Sequence, residues 1–151
     1  VQSGWRDQLY LLTFGRSHKD FQADLGLQSQ SLGKLNDDLS LAIAYSAADV
    51  FIAPSTQDNL PNTVMEALAC GVPCVAFKIG GMPDLIDHHH NGYLAQPFDI
   101  EDLAQGMAWV IADPERHQKL SENARSKVEQ HFTFQRQADQ YLALYQDILT
   151  Q

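Results

Sequence analysis

The amino-acid sequence predicts an α/β protein built on a doubly wound parallel sheet, with helices on both faces and a helical C-terminus. Two patterns predict it. Short apolar runs that stop at Gly or Pro alternate with segments of helical periodicity, which is how parallel βαβ units read. The last third of the chain carries helical periodicity alone. Size agrees: 151 residues, 44% of them hydrophobic, suffice for one packed domain, and residues 1–151 are read as a single one.

The elements follow in order. Residues 8–14 form a short apolar run with aromatics, ending at Gly15, and predict a buried strand. A weak helix is expected over 19–25 and a short strand over 29–32, stopped by Gly33. Asp37 and Asp38 open a helix carrying Leu39, Leu41, Ile43 and Tyr45, the acids suiting the positive end of its dipole. Residues 49–53 are a clear strand closed by Pro54-Ser55. Pro61 and Asn62 start a helix through Cys70, with Gly71 as its C-terminal stop. A strand is expected over 72–77, with Pro73 at its start, then a Gly80-Gly81 turn, a short helix over 82–87 and a strand over 92–94. Three helices complete the chain. One begins at Asp99 and runs to Ala112, and one runs from Pro114 to Gln130. The last begins at Thr133 or Phe134, with Tyr141, Leu142, Leu144, Tyr145, Ile148 and Leu149 as its apolar residues.

Composition excludes several functions. Ten Lys and Arg against nineteen Asp and Glu give a net charge of -9, unsuited to tracking the phosphates of a nucleic acid. No apolar run is long enough to span a membrane, and Val1–Asp7 has no secretory pattern. Cys70 and Cys74 read as two buried thiols in a reducing compartment, since Cys-Gly-Val-Pro-Cys is not the Cys-x2-Cys redox motif. The run His88-His89-His90 reads as a solvated loop, because adjacent side chains diverge and nothing is spaced to complete a metal site. His18, His117 and His131 are isolated and expected at the surface.

In a doubly wound sheet, ligands sit beyond the carboxyl ends of the strands, which directs attention to the loops after Phe14, Leu32, Ala53 and Phe77. The richest is Ser55–Leu60. Asp58 precedes a helix N-terminus, where the N–H groups of Asn59, Leu60 and the first turn can meet an anion. Glu66 follows about one and a half turns inside the helix, too far in for capping. A carboxylate accepts two hydrogen bonds from a vicinal diol, so the two acids suit sugar hydroxyls on either side of a bound phosphate. The alternative left open by the residues alone is that Asp58 caps the helix and Glu66 is a solvated surface acid. Gly80-Gly81 is likewise open between a turn that lets phosphate approach and simple packing of the next helix.

Four segments carry a resemblance. They are Ala48–Ser55, the run Asp58-Asn59-Leu60-Pro61-Asn62-Thr63-Val64-Met65-Glu66 continuing to Phe77, Gly80-Gly81-Met82-Pro83-Asp84, and Asn91-Gly92-Tyr93-Leu94. Together they closely resemble the C-terminal domain of the group 1 glycosyltransferases, retaining enzymes of the Rossmann-like, two-domain GT-B fold. The likeness extends from about Gln8 to the end of the chain. It implies that Asp58 and Glu66 are the family's acid pair, the first on donor-sugar hydroxyls and the second on the ribose diol. The family usually has Glu in the first place, so Asp58 leaves the sugar unspecified. The resemblance also implies that Asn59 and Leu60, with Pro61 and Thr63 beside them, serve the diphosphate, and that Gly15, Arg16, Lys34 and Leu35 line the base.

The implied activity is hexosyl transfer from a UDP- or GDP-sugar to a glycan or a lipid-linked acceptor, without a metal or other cofactor. The implied place is cytoplasmic, or peripheral at the inner face of the membrane. An N-terminal acceptor domain is expected elsewhere, and the chain alone is expected to be inactive. The family's first strand, with the Arg and Lys after it, has no counterpart here. Residues 8–14 and 49–53 are therefore expected to close on each other or to pair with another chain. A receiver-like regulatory domain is the contrasting reading, weakened because no acid pair precedes Lys78 at the first strand. A sugar-nucleotide 2-epimerase of the same fold is the other.

Overall fold

The structure, a computed structural model, describes residues 6–15 and 26–150. Arg16, His18 and the helix expected over 19–25 lie outside the described residues. The chain resolves into two compact units, Val1–Ala48 and Asp49–Gln151.

In the first unit, a single 3-10 turn at Arg6–Gln8 precedes strand β1 (Tyr10–Thr13), which shortens the strand expected over 8–14. β1 pairs in parallel with β2 (Gln28–Ser31), in register from Tyr10 opposite Gln28 to Thr13 opposite Ser31. The pairing continues past the strands: Leu32 N–H donates to Thr13 O, and Gly15 N–H donates to Gly33 O, each at 2.8 Å. Gly15 and Gly33 have φ of 93° and 65°, a left-handed backbone that glycine adopts without strain. Helix α1 (Asp38–Ser46) follows. Its cap is Asp37, whose carboxylate accepts from Ser40 N–H at 2.8 Å and is held below its ordinary pKa by that bond. Tyr45 is buried and meets Phe14 edge-on, ring centroids 5.2 Å apart.

The second unit is a three-stranded parallel sheet in the order β3 (Phe51–Ala53), β4 (Cys74–Phe77), β5 (Gly92–Ala95). Every residue of β4 is buried, so both faces of that strand are covered. Helix α2 (Asn62–Ala69) crosses from β3 to β4, and α3 (Met82–Leu85) connects β4 to β5. Helices α4 (Ile100–Ile111), α5 (Pro114–His131) and α6 (Phe134–Leu149) complete the unit. The core joins Val75 and Phe77 of β4, Ala95 of β5, Leu103 and Val110 of α4, and Leu120 of α5. Among the described strands none neighbours both β1 and β3.

The sequence-based boundaries shift for physical reasons. Pro73 lies before β4 rather than in it: it has no N–H to give, and its carbonyl accepts from Phe51 N–H at 3.0 Å. α3 is one turn instead of reaching 87, because buried Ile86 turns extended (φ −108°) after closing the turn on Met82 O. At the end of α2, Gly71 (φ 76°) donates to Leu68 O and Val72 to Ala67 O, the paired bonds of a Schellman C-cap. α6 differs from α4 and α5, both of which have buried residues. None of its residues is buried, and its apolar residues from Tyr141 to Leu149 are 51–85% exposed, so they pack no core among the described residues.

Candidate functional site

The loop after β3 leads into α2, and its geometry decides between the two readings of Asp58. The N-cap of α2 is Pro61 (φ −71°, ψ 120°), and no side chain caps the helix. Asp58 is therefore not a cap. It is half-buried, and among the described residues its carboxylate has no recorded partner. Pro61 is buried, fixed in φ by its ring, and its carbonyl accepts the N–H groups of Val64 and Met65 at 3.2 and 3.3 Å. The N–H groups of Asn59 and Leu60 have no recorded partner among the described residues. Asn62 and Thr63 open the helix, where no intrahelical acceptor exists for their N–H groups.

The face of α2 above this turn is set by periodicity. Val64, Ala67 and Leu68 are fully buried, whereas Asn62, Thr63 and Glu66 are exposed. Residues three and four apart share a helix face. Glu66 thus stands one turn along from Asn62 and Thr63, on the side that carries the unpartnered N–H groups. A row of free donors beside a carboxylate suits a ligand with an anionic centre and a hydroxylated arm.

The remaining predicted residues belong to the first unit. Gly15 lies at the carboxyl end of β1, and its N–H bond to Gly33 O brings that loop against the one carrying exposed Lys34 and half-buried Leu35. Among the described residues, no group of three or more His, Cys, Asp or Glu is placed to hold a metal ion.

Sequence reasoning missed two features. The first is the seat of the Asp58–Asn59 loop. A Cβ built on Gly80 would fall against Asp58 O, and one built on Gly81 against Asn59 O. On the side where a Cβ would stand, the space at both glycines is filled by chain backbone. The second is a column of rings around the histidine run, whose three residues are exposed, as a solvated loop requires. His88 and His89 rings lie 3.7 Å apart, His89 and Trp109 4.3 Å apart, and the Arg116 guanidinium sits 4.4 Å over Trp109. His88 Nδ1 accepts from Leu94 N–H at 3.1 Å, and burial, followed by the neighbouring His89, lowers its pKa. The signal for this column is the aromatic content of Tyr93 and Trp109, which only the tertiary fold brings to the histidines.

Near that column a recess of about 380 Å³ is lined by Lys78, His88, Tyr93, Leu94, Gln96 and Asp102. Tyr93, Asp102 and the backbone of Gln96 are already engaged there. Tyr93 donates to Asp102 at 2.6 Å, which pushes the Tyr93 pKa up to about 12, and Gln96 N–H donates to the other Asp102 oxygen at 2.7 Å. His117 is also engaged, its Nε2 lying 2.7 Å from Asp49 O. Cys70 is half-buried and Cys74 fully buried, both as free thiols, and burial pushes the Cys74 thiol pKa up.

Comparison with known proteins bears on the family and the fold. The model of a family described as "Glycosyl transferases group 1" matches residues 17–127. The N-acetyl-alpha-D-glucosaminyl L-malate synthase of Bacillus anthracis is 33% identical over 118 residues, 78% of this chain and 30% of that protein. Among solved structures, the sucrose-phosphate synthase of Thermosynechococcus elongatus superposes with a TM-score of 0.80 at 28% identity, covering 93% of this chain and 38% of that one. Anabaena HepE in complex with UDP superposes with a TM-score of 0.79 at 25% identity, covering 93% and 41%. The chain therefore spans about a third of the length of the proteins it matches.

Proposed function

The chain belongs to the group 1 glycosyl transferases, and from that premise we propose that it is the part of the enzyme that holds a nucleotide-diphosphate sugar. The observation that carries this reading is the uncapped start of α2, with unpartnered N–H groups at Asn59 and Leu60 and Glu66 on the adjoining exposed face. Those N–H groups and the first turn of α2 hold the diphosphate, and the helix dipole adds favourable potential there. Asp58 accepts hydrogen bonds from hydroxyls of the donor sugar, and Glu66 accepts from the ribose diol. The N–H donors supply the charge stabilisation that a cation would otherwise give, so no metal is required. The UDP in the HepE structure suits a uracil nucleotide as the first probe.

Transfer is of a hexosyl group with retention. The bond between the sugar C1 and the phosphate oxygen breaks, and a bond from C1 to the acceptor oxygen forms on the same face. The acceptor proton passes to the departing phosphate oxygen. The protein contributes position and stabilisation of the leaving charge. The acceptor, a glycan or a lipid-linked molecule, is held by a separate domain of an enzyme that is cytoplasmic or peripheral at the inner membrane face, and this chain alone is silent. The exposed apolar residues of α6 are the surface such a domain covers.

Calorimetric titration of the chain with UDP and GDP tests the reading. Binding of one nucleotide is expected, unchanged by a chelator and weakened about tenfold or more by Glu66→Ala, as loss of hydrogen bonds to a charged group implies. Absence of binding at millimolar nucleotide contradicts it. Detectable sugar transfer by this chain alone contradicts its silence.

A further inference from the structure

We infer that Gly80 and Gly81 are positioning residues for the donor site: they aim the Asn59 and Leu60 N–H groups. The geometry starts from two peptide planes. The carbonyl carbon of Asp58 lies 3.0 Å from the Cβ position of Gly80, and that of Asn59 lies 2.9 Å from the Cβ position of Gly81. In each case the oxygen is nearer than its carbon by about the full C=O bond length, ~1.2 Å. Both carbonyls therefore point straight at the glycines. In a trans peptide the N–H points opposite to the C=O of the same plane. The plane that carries Asp58 O also carries Asn59 N–H, and the plane that carries Asn59 O carries Leu60 N–H. With both carbonyls turned onto the glycine pair, both N–H groups point away from it. That is consistent with their having no recorded partner among the described residues.

The shelf itself is fixed from below. Lys78 N–H donates to Ala95 O at 2.7 Å, Ile79 N–H to Phe77 O at 2.8 Å, and Met82 N–H to Ile79 O at 3.0 Å. Met82 and Leu85, just beyond, are fully buried. A side chain at either glycine cannot be absorbed by moving the shelf, so the peptide planes of the loop must turn instead. Only glycine admits backbone-to-backbone contact this close, and Gly80 additionally holds φ of 47°. Gly81 is the cleaner probe, because its φ of −86° suits any residue and only the contact with Asn59 forbids a Cβ. The glycines touch no ligand in this arrangement. They act through the loop, and the inference rests on the donor reading of that loop.

The test uses the whole chain and separates the two claims. Amide exchange of the unliganded protein comes first. Asn59 and Leu60 are expected to exchange at nearly the rate of open amides, and protection of either one overturns the inference whatever the chain binds. UDP titration comes next: protection of those two amides on binding supports it, and binding that leaves both unprotected overturns it. Gly81→Ala is expected to weaken UDP at least tenfold. Gly106→Ala, whose Cβ would meet the ring of Tyr93 instead, serves as the matched steric control and is expected to change affinity less than twofold. Equal affinity in the two variants overturns the inference. If Gly81→Ala does not fold, the wild-type exchange pattern decides alone. If neither UDP nor GDP binds the wild type, the donor reading fails. The aiming of the planes is then judged by whether Gly81→Ala shifts the Asn59 and Leu60 resonances of the unliganded chain; unchanged resonances overturn it.

Discussion

The start of α2 and the starts of α1, α4, α5 and α6 solve the same problem in opposite ways. Every helix begins with N–H groups that have no intrahelical acceptor. Four helices satisfy them with a side chain of their own: Asp37 for α1, Asp99 for α4, Asp113 for α5 and Thr133 for α6. α2 begins at Pro61 with no side-chain bond at all. Two acids lie close by, yet Asp58 is held in the loop before the cap and Glu66 a turn beyond it. The difference separates helix starts that carry their own cap from those that do not, α2 and the one-turn α3. A cap is a built-in ligand; in the proposed reading, the diphosphate of the donor takes that place at α2.

Substitutions sharpen the contrast, beginning with the largest effect. Removal of both acids, Asp58→Ala with Glu66→Ala, is expected to lower nucleotide affinity by more than either change alone, beyond tenfold, while the melting temperature stays nearly constant. A large loss of stability instead would mean that the acids serve the fold and that the contrast is false. Next comes the other end of α2. Gly71→Ala forces an Ala into φ of 76° with Ser121 Oγ 3.2 Å away, and is expected to cost about 1–2 kcal/mol in denaturant unfolding.

Cap removal follows. Asp113→Ala leaves the N–H groups of Glu115 and Arg116 without the oxygen that now accepts both at 3.0 Å. A lower midpoint of unfolding is expected, with nucleotide affinity unchanged. A change in affinity would erase the distinction between the two kinds of helix end.

The smallest effect is one of pH. Asp37 and Asp113 are held below their ordinary value of 3.8, chiefly by the N–H groups of Ser40 and Arg116. A carboxylate whose pKa is depressed by folding contributes stability that is present above the unfolded value and lost as pH falls through the folded one. The Ser40 and Arg116 amides are therefore expected to lose protection below about pH 4. Asn59 and Leu60, with no carboxylate on them, should show no matching step in their protection relative to open-amide rates.

Much of this was legible in the sequence. Capping is local, so Asp37, Asp99 and the stop at Gly71 could be read from the residues beside each helix end. The crossover from β3 through α2 to β4 was legible because strand, Pro-initiated helix and glycine stop follow one another without interruption. What was not legible depends on contacts far along the chain. Whether Asp58 caps α2 turns on where Pro61 places the helix start. The role of Gly80 and Gly81 depends on a loop some twenty residues earlier lying on top of them. The His88 and His89 rings join Trp109 only once α4 has folded against β5. α6 shows the limit from the other side. Its apolar periodicity is plain in the sequence but what covers that face is not, and the fold leaves it uncovered among the described residues.

The central claim is that the start of α2 is an open site for the diphosphate of a nucleotide. Titration of the labelled 151-residue chain with UDP and GDP, followed amide by amide, tests it most directly. The account predicts that one nucleotide moves the Asn59, Leu60, Asn62 and Thr63 resonances first and most, and leaves the capped starts of α4 and α5 still. Binding that perturbs only residues elsewhere, or no perturbation at millimolar nucleotide, would contradict it.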